Sequence, residues 1–109
     1  MKKFCLALDL IDDPELIEEY EKYHQNIWPE VKQSILNSGI VNMEIYRVQN
    51  RLFMIVETDE NSSFETKNET DKNNPKVQEW EQLMWKFQQQ LPNSEPGEKW
   101  RLMDKIFSL

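Results

Sequence analysis

The chain has 109 residues, with 13 Lys and Arg against 20 Asp and Glu, so its formal charge is −7 when its one histidine is neutral. That length makes one domain, and 39% apolar residues with four Trp, three Tyr and five Phe are enough to bury a core. Two glycines are too few for a phosphate-cradling loop or a dinucleotide fingerprint, and one cysteine with one histidine excludes a disulfide framework or a Cys/His zinc site, so neither nucleotide-dependent chemistry nor a metal centre is expected.

The basic residues are scattered among carboxylates, which argues against nucleic acid as a partner and favours an uncharged small molecule. No run reaches the roughly 18 to 20 apolar residues of a membrane span. Met1-Lys2-Lys3 followed by Phe4 to Leu8 has the outline of a secretory start, but Asp9 interrupts it and Asp12-Asp13 follow. The segment therefore reads as the first strand of a cytoplasmic protein.

In chain order, Phe4, Leu6 and Leu8 alternate with Cys5, Ala7 and Asp9, the period of a strand. Asp12 or Asp13 then caps a helix with Pro14 in its first turn, where a missing N–H does no harm. Its stripe is Leu16, Tyr20, His24, Ile27, Val31 and Ile35. Pro29 lies within that stretch and disfavours helix at Trp28, so a kink or short break is expected around Gln25 to Trp28. Gly39 ends the helix.

Two alternating runs, Val41 to Tyr46 and Leu52 to Glu57, flank Gln49-Asn50 and read as an antiparallel hairpin. Asp59 to Asn74 is polar, with Phe64 its one aromatic, and reads as a short helix and an irregular segment. Pro75 opens a second long helix with the stripe Val77, Trp80, Met84, Phe87 and Leu91. Pro92 to Gly97 is a loop, and Trp100 to Leu109 resumes strand character.

The order strand, helix, strand, strand, helix, strand is the ferredoxin-like βαββαβ arrangement, an α+β fold with an antiparallel sheet and both helices on one face. The opposite face, with Cys5, Ala7, Phe53 and Ile55, is left uncharged and bare, which suits a homodimer of back-to-back sheets.

Candidate chemistry concentrates on the first helix. Tyr20 and His24 are one turn apart, so a phenol and an imidazole share one space, and Trp28 continues toward it. An imidazole titrating near about 6.5 gives or takes a proton at neutral pH, and a phenol orients a hydroxyl or donates to an oxygen. On the second long helix an indole, Trp80, suits the apolar face of a sugar, and the adjacent Glu81 can accept hydrogen bonds from sugar hydroxyls. Spacing alone leaves the plainer reading open, in which both stripes simply fill the core. The methionines at 43, 54, 84 and 103 read as core, and the carboxylates Glu18, Glu19 and Glu21 as a solvated helix face.

The segment Glu19-Tyr20 through His24, then Asn26-Ile27-Trp28-Pro29-Glu30, resembles the E-Y-x-x-x-H-x-x-I-W-P-E pattern of the L-rhamnose mutarotases. The likeness extends through Gly39, Asn42, Ile45, Tyr46, Val56-Glu57, Thr70-Asp71, Trp80 and Leu91-Pro92, nearly the whole chain. It implies a dimeric assembly of the α/β-barrel type that interconverts the α and β anomers of a free sugar without a cofactor, with His24 as proton donor and Tyr20 and Trp80 lining the sugar site. Two positions depart from the family pattern: a sugar-contacting tyrosine falls at Met43, and the second indole of a Trp-Trp pair falls at Glu81. Exchanging an indole for a carboxylate trades stacking for hydrogen bonding, which makes L-fucose a rival substrate to L-rhamnose. Two other readings of the fold are a ferredoxin-like monooxygenase with His24 on iron, and a non-catalytic sugar-binding or dimerisation module.

Overall fold

A computed structural model of the chain describes residues 1–60 and 71–109. Strand β1 (Lys2–Leu10) is followed by helices α1 (Pro14–Gln25) and α2 (Pro29–Asn37), then by strands β2 (Ile40–Val48) and β3 (Arg51–Thr58). Helix α3 (Pro75–Trp85) and two short strands, β4 (Gln88–Gln89) and β5 (Arg101–Leu102), complete the described elements. The expected short helix and irregular segment between Asp59 and Asn74 falls largely on 61–70, with Phe64 and Thr70, outside the described residues.

Each helix starts as its sequence dictates. Asp13 caps α1 by accepting from the Glu15 and Leu16 N–H groups at 2.9 and 3.4 Å, and Asn74 does the same for α3 from Lys76 and Val77 at 3.1 and 3.3 Å. The expected break over Gln25 to Trp28 is present: α1 ends at Gln25, and α2 restarts with Trp28 in an extended conformation before Pro29. Gly39, at φ 88°, takes the left-handed position that ends α2.

The sheet order is β2-β3-β1-β4, with β5 also on β1, and every described pairing is antiparallel. This is the ferredoxin-like α+β order expected from the sequence. Alternation sets the two faces. Leu6, Leu8 and Leu10 of β1 and Leu52, Met54 and Val56 of β3 are buried toward the helices, and the register that pairs Leu8 with Leu52 and Leu6 with Met54 puts them on one face. Leu10 and Leu52 share a core cluster with Tyr20, Val31, Trp80 and Met84, so α1, α2 and α3 pack on that same face. Cys5, Ala7, Phe53 and Ile55 form the middle of the opposite face, only partly buried.

The C-terminal third departs from the expectation in two respects. The stripe from Val77 to Leu91 is not one helix, because α3 stops at Trp85 and Phe87 is buried from outside it. The physical reason is the edge of β1: the Ile11 N–H donates to the Phe87 carbonyl at 2.8 Å, and Gln88 and Gln89 pair with Leu10 and Asp9. Trp100 to Leu109 is likewise not a full strand. Arg101 and Leu102 pair with Ala7 and Leu6, and the chain then leaves the sheet with Ile106, Phe107 and Leu109 exposed. The fourth strand is therefore two short pieces on one edge, separated by the excursion Gln90–Trp100. Arg101 holds that excursion, donating to the Pro92 carbonyl at 2.9 Å and pairing with Glu98 at 3.1 Å.

Candidate active site

Tyr20 and His24 stand on the inward face of the last two turns of α1, with ring centroids 4.3 Å apart. Tyr20 is buried at 3% exposure, while His24 is half-buried at the open side of the cluster. The break after Gln25 brings Trp28 back over α3, where its ring meets Trp80 edge-on at 5.2 Å. Trp80 also receives the edges of His24 at 5.6 Å and Tyr23 at 6.3 Å. Four residues named from the sequence, Tyr20, His24, Trp28 and Trp80, are thus one cluster.

The imidazole has a defined polarity. His24 Nδ1 lies 2.9 Å from the Tyr20 carbonyl oxygen, which can only accept, so in the neutral ring Nδ1 carries the hydrogen and Nε2 holds the lone pair. Burial pushes the His24 pKa below its ordinary value, with the bond to the Tyr20 carbonyl opposing that shift. The resting ring is therefore a neutral base at Nε2. Burial pushes the Tyr20 phenol up, against a hydrogen bond from Gln88 that lowers it, so the hydroxyl keeps its proton at neutral pH.

The other two named residues stand apart from this cluster in the described contacts. Met43, on the inner face of β2, packs against Leu6, Ile40, Met54 and Val56. Glu81 follows Trp80 on α3 but pairs with Lys99 of the excursion at 3.9 Å. Ile35 and Trp100 bridge the two regions, since both pack against each core cluster. Trp80, read from the sequence as a stacking platform, is 8% exposed and ringed by Trp28, His24 and Tyr23.

Three neighbours were not singled out for chemistry from the sequence. Tyr23 and Phe87 pack ring against ring at 5.9 Å, and Gln88 donates from Nε2 to the Tyr20 hydroxyl at 3.3 Å. Tyr23 had a signal, being adjacent to His24 in a pattern rich in aromatics, whereas Gln88 had none. Behind α1, Ser34 of α2 donates to the buried Asp71 carboxylate at 2.9 Å, which places one member of the Thr70-Asp71 pair in structural support of α2.

A neutral imidazole and a protonated phenol held together against indoles are the groups that acid–base chemistry on an uncharged ligand would use, set in a ferredoxin-like domain. The model of the L-rhamnose mutarotase family matches residues 3–109, and the chain belongs to that family, isomerases that interconvert the anomers of a free sugar. It is 44% identical to an L-fucose mutarotase of Xanthomonas campestris pv. campestris, covering 100% of this chain and 89% of the relative. To an L-rhamnose mutarotase of Listeria monocytogenes it is 30% identical, over 72% of this chain and 74% of that one. The crystal structure of an L-rhamnose mutarotase from Formosa agariphila superposes with a TM-score of 0.73 at 19% identity, covering 100% of this chain and 99% of the other, and shows the same fold. No helix among the described residues is long and apolar enough to cross a membrane.

Proposed function

We propose that His24 and Tyr20 carry the anomer exchange of a free 6-deoxyhexose, and that L-fucose is preferred to L-rhamnose. The observation behind the mechanism is the fixed polarity of the pair: an acceptor at His24 Nε2 beside a buried, protonated phenol. His24 takes the proton of the anomeric hydroxyl as the bond between the anomeric carbon and the ring oxygen breaks. Tyr20 donates a hydrogen bond to the ring oxygen as negative charge gathers there. The imidazolium then delivers its proton to that oxygen, leaving the open aldehyde and a new hydroxyl, and reclosure on the other face of the carbonyl reverses each transfer. The charge-balanced exchange uses no external acid, base or oxidant. The donor role implied for His24 is thus its second act, after it has served as base. General acid–base assistance of this kind contributes about 10²- to 10⁴-fold.

Trp28 and Trp80 form the aromatic wall of the sugar site, and Trp80 also packs against the imidazole. Met43 and Glu81 are proposed to act on specificity, from the rim of the site. The higher identity over the full chain to a relative named for L-fucose supports the choice of sugar. We also propose a homodimer through the outer sheet face, where Cys5, Ala7, Phe53 and Ile55 are bordered by the forked pair of Arg51 with Asp9 at 2.8 and 3.1 Å. Its proposed compartment is the cytoplasm, where the free thiol of Cys5 stays reduced.

Saturation-transfer NMR of L-fucose, L-rhamnose and other free aldoses tests the reading directly. Faster anomer exchange than in buffer, greatest for L-fucose, is expected. Exchange at the buffer rate for every sugar removes the catalytic reading, and a greater acceleration of L-rhamnose removes the choice of substrate.

A further inference from the structure

The Tyr20 hydroxyl is gripped from the far end of the chain. Phe87 sets its ring edge-on against the phenol at 6.1 Å, and the next residue, Gln88, donates its side-chain amide to the phenol oxygen at 3.3 Å. Both are buried, Phe87 at 4% and Gln88 at 9% exposure. Their placement is set by backbone rather than by side-chain chance. Gln88 pairs with Leu10, whose own N–H donates to the Asn50 carbonyl at 2.6 Å while its carbonyl accepts from the Asn50 amide at 3.0 Å. The end of β1 is thereby fixed on both edges, and the residue opposite Leu10 must face the helices as Leu10 does.

A phenol oxygen accepts on its lone pairs and donates one proton. When an amide N–H occupies an acceptor position, the hydroxyl proton is left to point elsewhere, and among the described contacts the His24 ring lies against the phenol ring, with centroids 4.3 Å apart. An acceptor in place of the amide would draw the phenol proton to itself and reverse the polarity of the pair. We propose that Gln88 is a positioning residue that keeps Tyr20 a hydrogen-bond donor toward the sugar. This rests on the proposed acid–base roles of His24 and Tyr20. Burial makes the contact more than decorative, because a polar pair in a low-dielectric site loses more when one partner is removed than the same pair does in water.

The experiment compares wild type, Gln88→Leu, Gln88→Glu, Tyr20→Phe and Tyr20→Phe/Gln88→Leu by anomer-exchange NMR. Losing one neutral hydrogen bond predicts about a 3- to 10-fold lower kcat for Gln88→Leu with KM little changed. In the Tyr20→Phe background the same substitution is expected to have no further effect, because it acts through the hydroxyl that is already gone. Gln88→Glu is expected to be slower than Gln88→Leu at neutral pH and to recover as the pH falls and the buried carboxyl becomes a donor. A Gln88→Leu loss that carries undiminished into Tyr20→Phe overturns the proposal, as does a Gln88→Glu enzyme that matches wild type or shows no recovery at lower pH.

The Tyr20 ¹³Cζ chemical shift reads the contact without catalysis, and it also serves if one variant folds poorly. It must move in Gln88→Leu, and in Gln88→Glu it must return toward wild type with falling pH; a shift unchanged in both overturns the proposal. If wild type accelerates no sugar, the mutarotase reading fails on that measurement alone, and the carbon shift still decides the role of Gln88.

Discussion

The two core clusters lie on the same face of one sheet and are built from different side chains. Around Leu10 and Leu52 the filling is aromatic, with Tyr20, Trp80 and Phe87, and Tyr23, Trp28 and Trp100 packed against it. Around Leu6 it is aliphatic, with Ile40, Met54 and Val56. The aromatic end carries polar atoms into the interior and must find each a partner, as Gln88 does for Tyr20 and the Tyr20 carbonyl does for His24. The aliphatic end has no such obligation. One end therefore holds the chemistry and the other holds the sheet together, and substitutions should separate rate from stability accordingly.

The largest separation is expected at His24. His24→Ala should lower enzyme-accelerated exchange of the preferred sugar by about 100-fold or more, with a thermal midpoint near that of wild type, measured by NMR and by calorimetry. Unchanged exchange would move the proton transfer to another group.

At the aliphatic end the pattern inverts. Leu6→Ala removes a side chain that is 9% exposed and should cost about 2 to 4 kcal/mol in denaturant unfolding, while each folded molecule exchanges anomers at the wild-type rate. A fall in the rate per folded molecule would show that the two clusters are coupled, with Ile35 and Trp100 as the bridge.

Tyr20→Phe should slow exchange by about tenfold and leave the aromatic packing in place, because it deletes only the hydroxyl. A loss as great as that of His24→Ala would make the phenol an obligatory proton carrier rather than a donor to the ring oxygen.

The smallest effect is the pH dependence. Because burial lowers the His24 pKa, the base form persists below the ordinary imidazole value of about 6.5, and the acid limb of kcat/KM should lie below that value. The same shift has a stability consequence of defined sign. Between the folded and unfolded pKa values of His24 the unfolded chain binds more protons, so its contribution is fully present above about pH 6.5 and lost as the pH falls toward the folded value. Replacing His24 by Phe should flatten that part of the stability profile, and a profile of unchanged slope would place the titration elsewhere.

The contacts that were legible in the sequence are local ones. Alternation located β1 and the β2–β3 hairpin, the four-residue spacing of Tyr20 and His24 placed both on one helix face, and Pro29 marked the break that swings Trp28 toward Trp80. What periodicity missed depends on partners distant in the chain. Phe87 continues the spacing of α3, yet its backbone belongs to the edge of β1, and no local pattern reports a competing strand. Trp100 to Leu109 looks like a strand by composition, but its residue pairing with β1 is confined to Arg101 and Leu102. Gln88 is 68 residues from Tyr20 and sits in a run of three glutamines, where nothing distinguishes it from its neighbours until the sheet turns it inward.

The divided fourth strand bears on how the sheet meets other chains. An edge that offers only Gln88–Gln89 and Arg101–Leu102, with Gln90–Trp100 thrust out between them, is a poor template for a further strand. The opposite edge is β2, nine residues long. Among the described strands β2 is the one long edge, so strand addition through β2 uses it up in both chains and edge-to-edge association stops at a pair.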